Sequence, residues 1–265
     1  MLPQIDVFGR PFSMYAIFCV LGIALAILIG TSRSKIIGIQ KNDVLYAMLL
    51  SVVGLLVGGK ILYIVSVIPV LWEYRQMISE HPAILKALFN GGFVFFGAVF
   101  GAVGVVYLYC KKYKLKLLPM LDTVAPGIPI AHAFGRLGCL SAGCCYGCSY
   151  NGPLALTFPE GCAAPAGTAL FPIQPFESVL NIILFIALML LGRRKRRDGL
   201  LFGSYLLFYS IIRFVLEFFR GDAERGILFG FSLSQWISLL LLPLAVYIAF
   251  IYHPKNCGPS DDHSQ

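Results

Sequence analysis

The chain has 265 residues, of which 58% are hydrophobic and only 13% are charged. Together with a mean hydropathy of +0.81, this composition excludes an ordinary soluble domain, because too few polar side chains are available to cover a surface in water. The formal net charge of +8 does not indicate binding to nucleic acid, because the basic residues form short clusters beside apolar segments, where they suit anionic lipid headgroups.

Long apolar segments recur along the chain and are separated by charged, Pro-rich or Gly-rich breaks. A helix needs about 20 apolar residues to cross roughly 30 Å of hydrocarbon. The sequence therefore predicts an all-α integral membrane protein with about seven transmembrane helices. The expected spans are 13–29, 44–67, 91–109, 117–140, 176–191, 200–219 and 229–251.

Basic residues in the connections predict the orientation of these spans, since short loops rich in Lys and Arg stay in the cytoplasm. Such clusters follow the first, third and fifth spans, whereas segment 141–175 contains Glu160 as its one charged residue. We therefore expect the N-terminus and segment 141–175 to lie outside the cell and the C-terminus to lie in the cytoplasm. Residues 1–252 are interpreted as a single polytopic transmembrane domain, and residues 253–265 as a disordered cytoplasmic tail.

The predicted spans contain ionisable residues, each of which costs roughly 2.5–3.5 kcal/mol at the centre of a membrane helix. Lys60 lies in the second span, where it either contributes to a site or extends its long side chain to the interface. In the fourth span, His132, Arg136 and Cys139 are spaced by four and three residues, so they share one helix face. We expect that face to point into the helix bundle.

The sixth span has a similar polar stripe, formed by Tyr209, Arg213, Glu217 and Arg220. Glu217 lies within one helical turn of either arginine, so it forms either a structural ion pair or part of a site. Two inward-facing arginines, one in each of these spans, indicate an anionic ligand, because a guanidinium offers planar donors that match phosphate. A phospholipid headgroup is the candidate that fits a membrane protein.

Cysteines are concentrated at the end of the fourth span and in the segment that follows. Four of the eight, Cys139, Cys144, Cys145 and Cys148, lie within ten residues, and Cys162 comes later in the same segment. Because disulfides persist outside the cell, a structural Cys145–Cys148 or Cys148–Cys162 pair is the first interpretation and a catalytic thiol the second. A metal site comes third, since a second ligand pair is missing, and we expect no bound metal ion. Simple packing of small residues at a helix end remains the alternative without chemistry.

Segment 135–148 carries a family resemblance. Its Gly-Arg-Leu-Gly run at 135–138, followed by Gly143 and Gly147, resembles the signature of the prolipoprotein diacylglyceryl transferases. The sixth span, from Tyr209 to Arg220, is similar to the pattern of that family almost residue for residue. Shorter similarities occur at 58–63, 91–97, 172–177 and 233–235, and in the first of these Lys60 replaces the usual arginine.

The resemblance implies that the protein transfers a diacylglyceryl group from phosphatidylglycerol to the lipobox cysteine thiol in the signal peptide of a prolipoprotein. It also implies that the reaction needs no cofactor and takes place in the plasma membrane of a bacterium. Arg136 and Arg213 match the two essential arginines of the family, which would hold and neutralise the departing glycerol phosphate. The residues expected to bind the substrates are Tyr15, Lys60, Gly138, Gly147, Gln174, Glu177, Glu217 and Arg220.

The chain departs from the family pattern at polar positions. Phe96 stands where the family has a histidine proposed to act as the base, and Cys139, Ala142 and Cys144 stand where it has two asparagines and a glutamate. His132 precedes Arg136 by one helical turn and could supply the missing imidazole. The expected catalytic residues are therefore Arg136, Arg213, His132 and Tyr209.

These departures leave two alternatives open. One is a divergent membrane enzyme that uses Cys139, Cys144 or Cys145 for thiol chemistry, such as redox chemistry or transfer to another acceptor. The other is a lipid-binding or small-molecule transport protein that keeps the arginines but has lost catalysis, since a fold does not carry its function with it.

Overall fold

The computed structural model describes residues 4–7, 10–73, 91–221 and 227–252, and the predicted tail at 253–265 lies outside these ranges. Within the described ranges, six helices are long and apolar enough to cross a membrane, and a bent helix pair makes a seventh if it counts as one span. The prediction of an all-α integral membrane protein with about seven spans is therefore confirmed.

The described helices, named in chain order, are α1 (Met14–Ile37), α2 (Lys41–Glu73), α3 (Phe95–Lys112), α4 (Leu117–Val124), α5 (Gly127–Ala142), α6 (Ile173–Leu191), α7 (Leu200–Leu216) and α8 (Leu233–Val246). A 3₁₀ turn, Glu217–Phe219, extends α7, and a π-helical turn, Tyr247–Ile251, extends α8. Two short antiparallel hairpins precede α1 and α8. They are β1 (Gln4–Val7) with β2 (Arg10–Ser13), and β3 (Ile227–Leu228) with β4 (Phe231–Ser232).

The chain divides into two compact units, of which one consists of Met1–Gly38 and Leu121–Gln265 and the other of Ile39–Met120. In the first unit, α1 packs closely against α5. A methyl group added at Gly22 would lie 2.8 Å from the Phe134 Cβ atom, and one added at Gly127 would lie 2.8 Å from the Ala26 carbonyl oxygen. The glycines therefore allow the two backbones to approach, as small residues commonly do between membrane helices.

Helix α1 continues for two turns beyond its predicted end. It ends at Gly38, whose φ of 88° suits glycine and whose N–H donates to the Ser34 carbonyl at 2.9 Å. Arg33, which the sequence placed in a connection, consequently lies inside the helix and is only 2% exposed. Its guanidinium packs against Gly192, where any side chain would collide with it.

The predicted fourth span is a bent pair rather than one straight helix. Helices α4 and α5 meet at 44°, and Pro126 lies in the break, where its missing N–H interrupts the helical hydrogen bonds. Asp122, in the last turn of α4, accepts hydrogen bonds from the backbone N–H groups of Gly199 at 2.6 Å and Phe202 at 2.8 Å. The buried carboxylate thus caps the start of α7, a role that its position in the sequence did not reveal.

Helices α6, α7 and α8 complete the first unit. Leu184 and Leu188 of α6 meet Leu201 and Tyr205 of α7 in a buried apolar cluster. Helix α8 begins with a capping box, in which Ser232 Oγ accepts from the N–H of Gln235 and the Gln235 side chain accepts from the N–H of Ser232. The cap satisfies backbone donors at a helix start that lies close to the end of α7.

The segment between α5 and α6 is held by backbone pairing rather than by helices. Phe158, Ala164 and Leu170 form a small buried cluster inside it. Its beginning is also attached to the end of α7, because the N–H of Cys148 donates to the Phe219 carbonyl at 2.9 Å and that of Gly221 to the Tyr146 carbonyl at 3.0 Å. These bonds bring the cysteine-rich residues beside the last residues of the α7 region.

The second unit contains α2 and α3, which pack along glycines. A methyl group on Gly54 would lie 2.6 Å from the Gly101 carbonyl oxygen, and one on Gly58 would collide with the carbonyl of Gly97. Tyr109 donates its hydroxyl hydrogen to Asp43 at 2.9 Å. Close backbone contact and a partly buried polar pair therefore hold this helix pair together.

Candidate active site

Two arginines from different helices converge on one buried carboxylate. Arg136 of α5 places its Nε 3.0 Å from Oε1 of Glu177 on α6, and Arg213 of α7 places its Nη1 4.0 Å from Oε2 of the same residue. The Glu177 side chain is only 2% exposed, whereas the two arginine side chains are 18% and 14% exposed. Glu177 therefore acts as a buried bridge, and the guanidinium groups are the more accessible part of the cluster.

Arg213 makes two further contacts. Its Nη2 lies 2.9 Å from Glu217 Oε2, one helical turn along the chain, and donates to Ser234 Oγ at 3.2 Å. The predicted neighbour pairing of Glu217 thus forms with Arg213. Tyr209 interacts electrostatically with Glu177 and with Arg136, Arg213 and Arg220. Counted with Glu217, which pairs with Arg213, these three arginines and two glutamates leave a net charge of +1 around this position. The arrangement favours an anionic ligand.

His132 lies on the same helix as Arg136, one turn earlier, and contacts aromatic rings. Its ring centroid is 4.8 Å from that of Tyr209 and 6.3 Å from that of Tyr205. Among the described residues, none forms a hydrogen bond with its buried Nδ1. The imidazole is therefore positioned by packing, with one ring nitrogen still available for a proton or a ligand.

Other residues predicted to bind substrate support the backbone around the cluster. Gln174 donates from Nε2 to the carbonyl of Cys144 at 3.0 Å. A methyl group on Gly138 would lie 3.1 Å from the Tyr15 ring, and one on Gly147 would collide with the Phe171 carbonyl. The two glycines therefore allow neighbouring segments to pass close to α5 and to the loop after it.

Lys60 belongs to the other compact unit. Its ammonium donates to the Gly91 carbonyl at 2.8 Å and lies 5.2 Å from the centroid of the Tyr63 ring. Both of these groups belong to the same unit as Lys60, and a carbonyl oxygen and an aromatic face each suit a cation.

The cysteine-rich segment begins with a helix C-cap of the Schellman type. Gly143 adopts a φ of +67°, its N–H donates to the Leu140 carbonyl, and the N–H of Cys144 donates to the Cys139 carbonyl at 3.1 Å. This geometry folds the residue after the glycine back onto the last helical turn. As a result, the sulfurs of Cys139, Cys144 and Cys145 all lie within 4.8 Å of one another.

The disulfides that the sequence favoured are not formed in this structure. All seven cysteines in the described ranges are free thiols. Cys145 has a φ of 55° and groups with Cys139 and Cys144 rather than with Cys148, whose backbone pairs with Phe219 instead. Hydrogen bonds from the Cys139 and Cys144 thiols, aided by the charges of Arg220 and Arg136, lower the pKa of Cys145.

The fold and the site together define a polytopic membrane protein with a buried, arginine-rich cluster suited to an anionic group. A family model described as prolipoprotein diacylglyceryl transferase matches residues 4–251. The chain therefore belongs to the prolipoprotein diacylglyceryl transferase family, which confirms the resemblance read from the sequence and makes the protein a transferase.

Similar proteins cover almost the whole chain. A phosphatidylglycerol–prolipoprotein diacylglyceryl transferase of Clostridium tetani is 35% identical over 243 residues, 92% of this chain and 94% of the relative. A second transferase of that name from Clostridium perfringens is 35% identical over 237 residues, covering 89% and 90%. One from Geobacter sulfurreducens is 31% identical over 267 residues, covering 97% and 99%.

Proposed function

We propose that this chain transfers the diacylglyceryl group of phosphatidylglycerol to the cysteine thiol of a prolipoprotein lipobox. The observation that carries the proposal is the convergence of Arg136 and Arg213 on Glu177. By the sequence resemblance, these arginines match the two essential arginines of the family. The names of the relatives give phosphatidylglycerol as the lipid and a prolipoprotein as the acceptor.

The arginines suit the charge that develops in this reaction. The acceptor sulfur attacks the phosphate-bearing carbon of the diacylated glycerol, a carbon–sulfur bond forms, and the carbon–oxygen bond breaks with its electron pair on the phosphate of the departing glycerol phosphate. The phosphodiester carries one negative charge and the departing glycerol phosphate gains a second. Arg136 and Arg213 therefore bind the transition state more strongly than the substrate, which is the condition for catalysis.

Glu177 explains how two guanidinium groups remain close together before the lipid binds. Arg136 meets it through Nε, which leaves the fork of terminal nitrogens for a phosphate oxygen pair. The bridge also holds the arginines at a defined separation, so little reorganisation is needed when the phosphate enters. Such preorganised charge is usually a large contribution to catalysis.

His132 is the proposed base for the acceptor thiol. It lies one turn from Arg136 on the same face and beside the ring of Tyr209, and its buried Nδ1 forms no hydrogen bond with any described residue. A thiolate is the nucleophilic form of cysteine. We therefore assign proton removal to His132 and orientation of the lipid or the imidazole to Tyr209.

An apolar cavity beside the cluster supports a lipid substrate. It has a volume of about 400 Å³ and lies between α6 and α7, with Phe171, Phe176, Ile211, Val215 and Phe219 among its lining residues. Phe176 is adjacent to Glu177 in the chain. We propose that an acyl chain occupies this cavity while the phosphate meets the arginines, because the lining is hydrocarbon and aromatic.

We further propose that the protein spans the bacterial plasma membrane with segment 141–175 outside, where signal peptides of prolipoproteins reach it. Apart from the buried Arg33, the basic residues at the ends of the first, third and fifth spans support this orientation. A variant that keeps Cys162 as its one cysteine tests it, since a membrane-impermeant maleimide should label that partly exposed thiol in intact cells. Labelling that requires membrane rupture would contradict the orientation.

The function is tested by complementation of a bacterial strain depleted of its own diacylglyceryl transferase, with the mass of a reporter prolipoprotein as the readout. We expect the wild-type chain to add the diacylglyceryl mass, and Arg136→Ala and Arg213→Ala to abolish it. Arg136→Lys is the matched control for charge, and it should lose most activity because an ammonium lacks the planar fork.

The same experiment separates the alternatives. A protein that is expressed, inserted and able to bind phosphatidylglycerol but adds no mass to the reporter would favour the lipid-binding interpretation. Rescue that persists in both arginine variants would contradict the proposed role of the cluster.

A further inference from the structure

Three cysteine thiols form a group that the proposed mechanism does not use. Cys139 lies in the last turn of α5, and Cys144 and Cys145 directly follow Gly143, the glycine of the Schellman cap. Their sulfur atoms all lie within 4.8 Å of one another. Three thiol donors at such a separation provide a ligand set for a thiophilic metal ion.

The geometry is close to that of a zinc site. Zinc–sulfur bonds of about 2.3 Å in a tetrahedral site place the sulfurs about 3.8 Å apart. The separations in the structure need to shorten by about 1 Å at most to reach this value. The backbone is already held in place by the bond from Cys144 N–H to the Cys139 carbonyl and by Gln174, which donates to the Cys144 carbonyl at 3.0 Å.

The surrounding charge also suits a thiolate site. Three thiolates and one Zn²⁺ ion carry a net charge of −1. The guanidinium groups of Arg136 and Arg220 are close enough to Cys145 to interact with it electrostatically. Arg220 would therefore offset part of the negative charge of a metal–thiolate group, while Arg136 is shared with Glu177.

We propose that Cys139, Cys144 and Cys145 bind one Zn²⁺ ion and leave its fourth coordination position open for the thiol of the acceptor cysteine. Cys148 and Cys162 do not belong to the group of three, so the described residues supply three ligands. Three protein ligands with an open position are typical of catalytic rather than structural zinc. From the sequence we expected no metal ion, because a second pair of ligands is missing. In the structure the helix cap brings Cys144 and Cys145 to Cys139, so three thiols lie together.

The role of the ion rests on the proposed function. The acceptor binds to zinc as a thiolate, because coordination to zinc deprotonates a thiol, and its proton passes through water to the base of the reaction. The sulfur then attacks the glycerol carbon as the carbon–oxygen bond to phosphate breaks. Cys139 follows Arg136 by one helical turn, about 4.5 Å along the axis, so the thiolate and the phosphate are held side by side. The thioether product is a weaker ligand and leaves the ion.

Metal content tests the site without any turnover. The full chain is purified in detergent with an affinity tag that lacks His and Cys, reduced, loaded with Zn²⁺, desalted and analysed by mass spectrometry for zinc. We expect one zinc per chain in the wild type and in the control Cys148→Ser, and zinc at the buffer level in Cys139→Ser, Cys144→Ser and Cys145→Ser. The proposal would be overturned if the wild type and Cys144→Ser bound the same amount of zinc per chain. It would also be overturned if Cys148→Ser lost as much zinc as the three ligand variants.

The open position is tested with cobalt. Co²⁺ replaces zinc in thiolate sites and gives a thiolate-to-metal absorption band that reports its ligands. We expect a synthetic lipobox peptide to change this band, and the same peptide with serine in place of cysteine to leave it unchanged. An identical response to both peptides would refute the role in binding the acceptor. Zinc binding in a chain that transfers no lipid would contradict only the proposed function, so the two failures are distinguishable.

Discussion

The buried bridge between the arginines predicts a large effect when its charge is removed. In Glu177→Gln the side chain keeps its size but no longer neutralises Arg136 and Arg213, which lie 3.0 and 4.0 Å away. At an effective dielectric constant of about 20, these contacts correspond to about 5.5 and 4 kcal/mol of gross attraction. Much of this offsets the cost of burying the charges, and breaking such a buried pair typically costs about 3–5 kcal/mol in net terms.

We therefore expect Glu177→Gln to lower the free energy of unfolding by about 3–5 kcal/mol, measured by denaturant titration of the detergent-solubilised protein. Glu160→Gln is the matched control, because Glu160 is exposed and the same change there should have an effect near zero. The double variant Arg136→Gln with Glu177→Gln should recover part of the loss, since it removes one unpaired charge. A stability of Glu177→Gln equal to that of the control would refute the bridge.

Three further predictions concern packing, capping and proton transfer. Gly58→Ala should destabilise the α2–α3 pair by about 1–3 kcal/mol, because its methyl group meets the carbonyl of Gly97, whereas Gly104→Ala, with open space around it, should be neutral in thermal unfolding. Asp122→Ala should cost about 0.5–2 kcal/mol through loss of the α7 cap, and faster amide hydrogen exchange at the start of that helix should accompany it. His132→Ala should reduce the rate of lipid transfer by roughly 10²–10⁴-fold, with partial recovery on addition of imidazole; unchanged transfer would exclude it as the base.

The sequence predicted several features that depend only on neighbouring residues. The spans follow from hydropathy, which is summed over consecutive residues and is independent of what each helix contacts. The sequence also predicted that Glu217 can pair with Arg213 or Arg220, because residues three or four apart share a helix face, and the structure shows the pair with Arg213. In the same way, His132 and Arg136 were assigned to one face, and the structure places both on α5.

The sequence did not reveal contacts between distant residues. Glu177 is 41 and 36 residues from the two arginines that it bridges, and Asp122 accepts a hydrogen bond from the cap residue of α7, which lies 77 residues later. Such pairs depend on which helices pack together, and neither periodicity nor composition encodes that choice. The glycine at position 143 carried one usable signal, because a glycine at a helix end predicts a Schellman turn.

The cysteines show where the two sources of information separate. The sequence by itself determined that five thiols lie at the end of a span and in the segment after it. It also predicted a membrane protein with two arginines that face the interior of the helix bundle. Only the tertiary structure decided which thiols meet, because the positive φ angles at Gly143 and Cys145 turn the chain back on the helix and bring Cys144 and Cys145 onto Cys139. The number of residues between two cysteines does not give the distance between their sulfur atoms, because that distance depends on the direction in which the backbone turns.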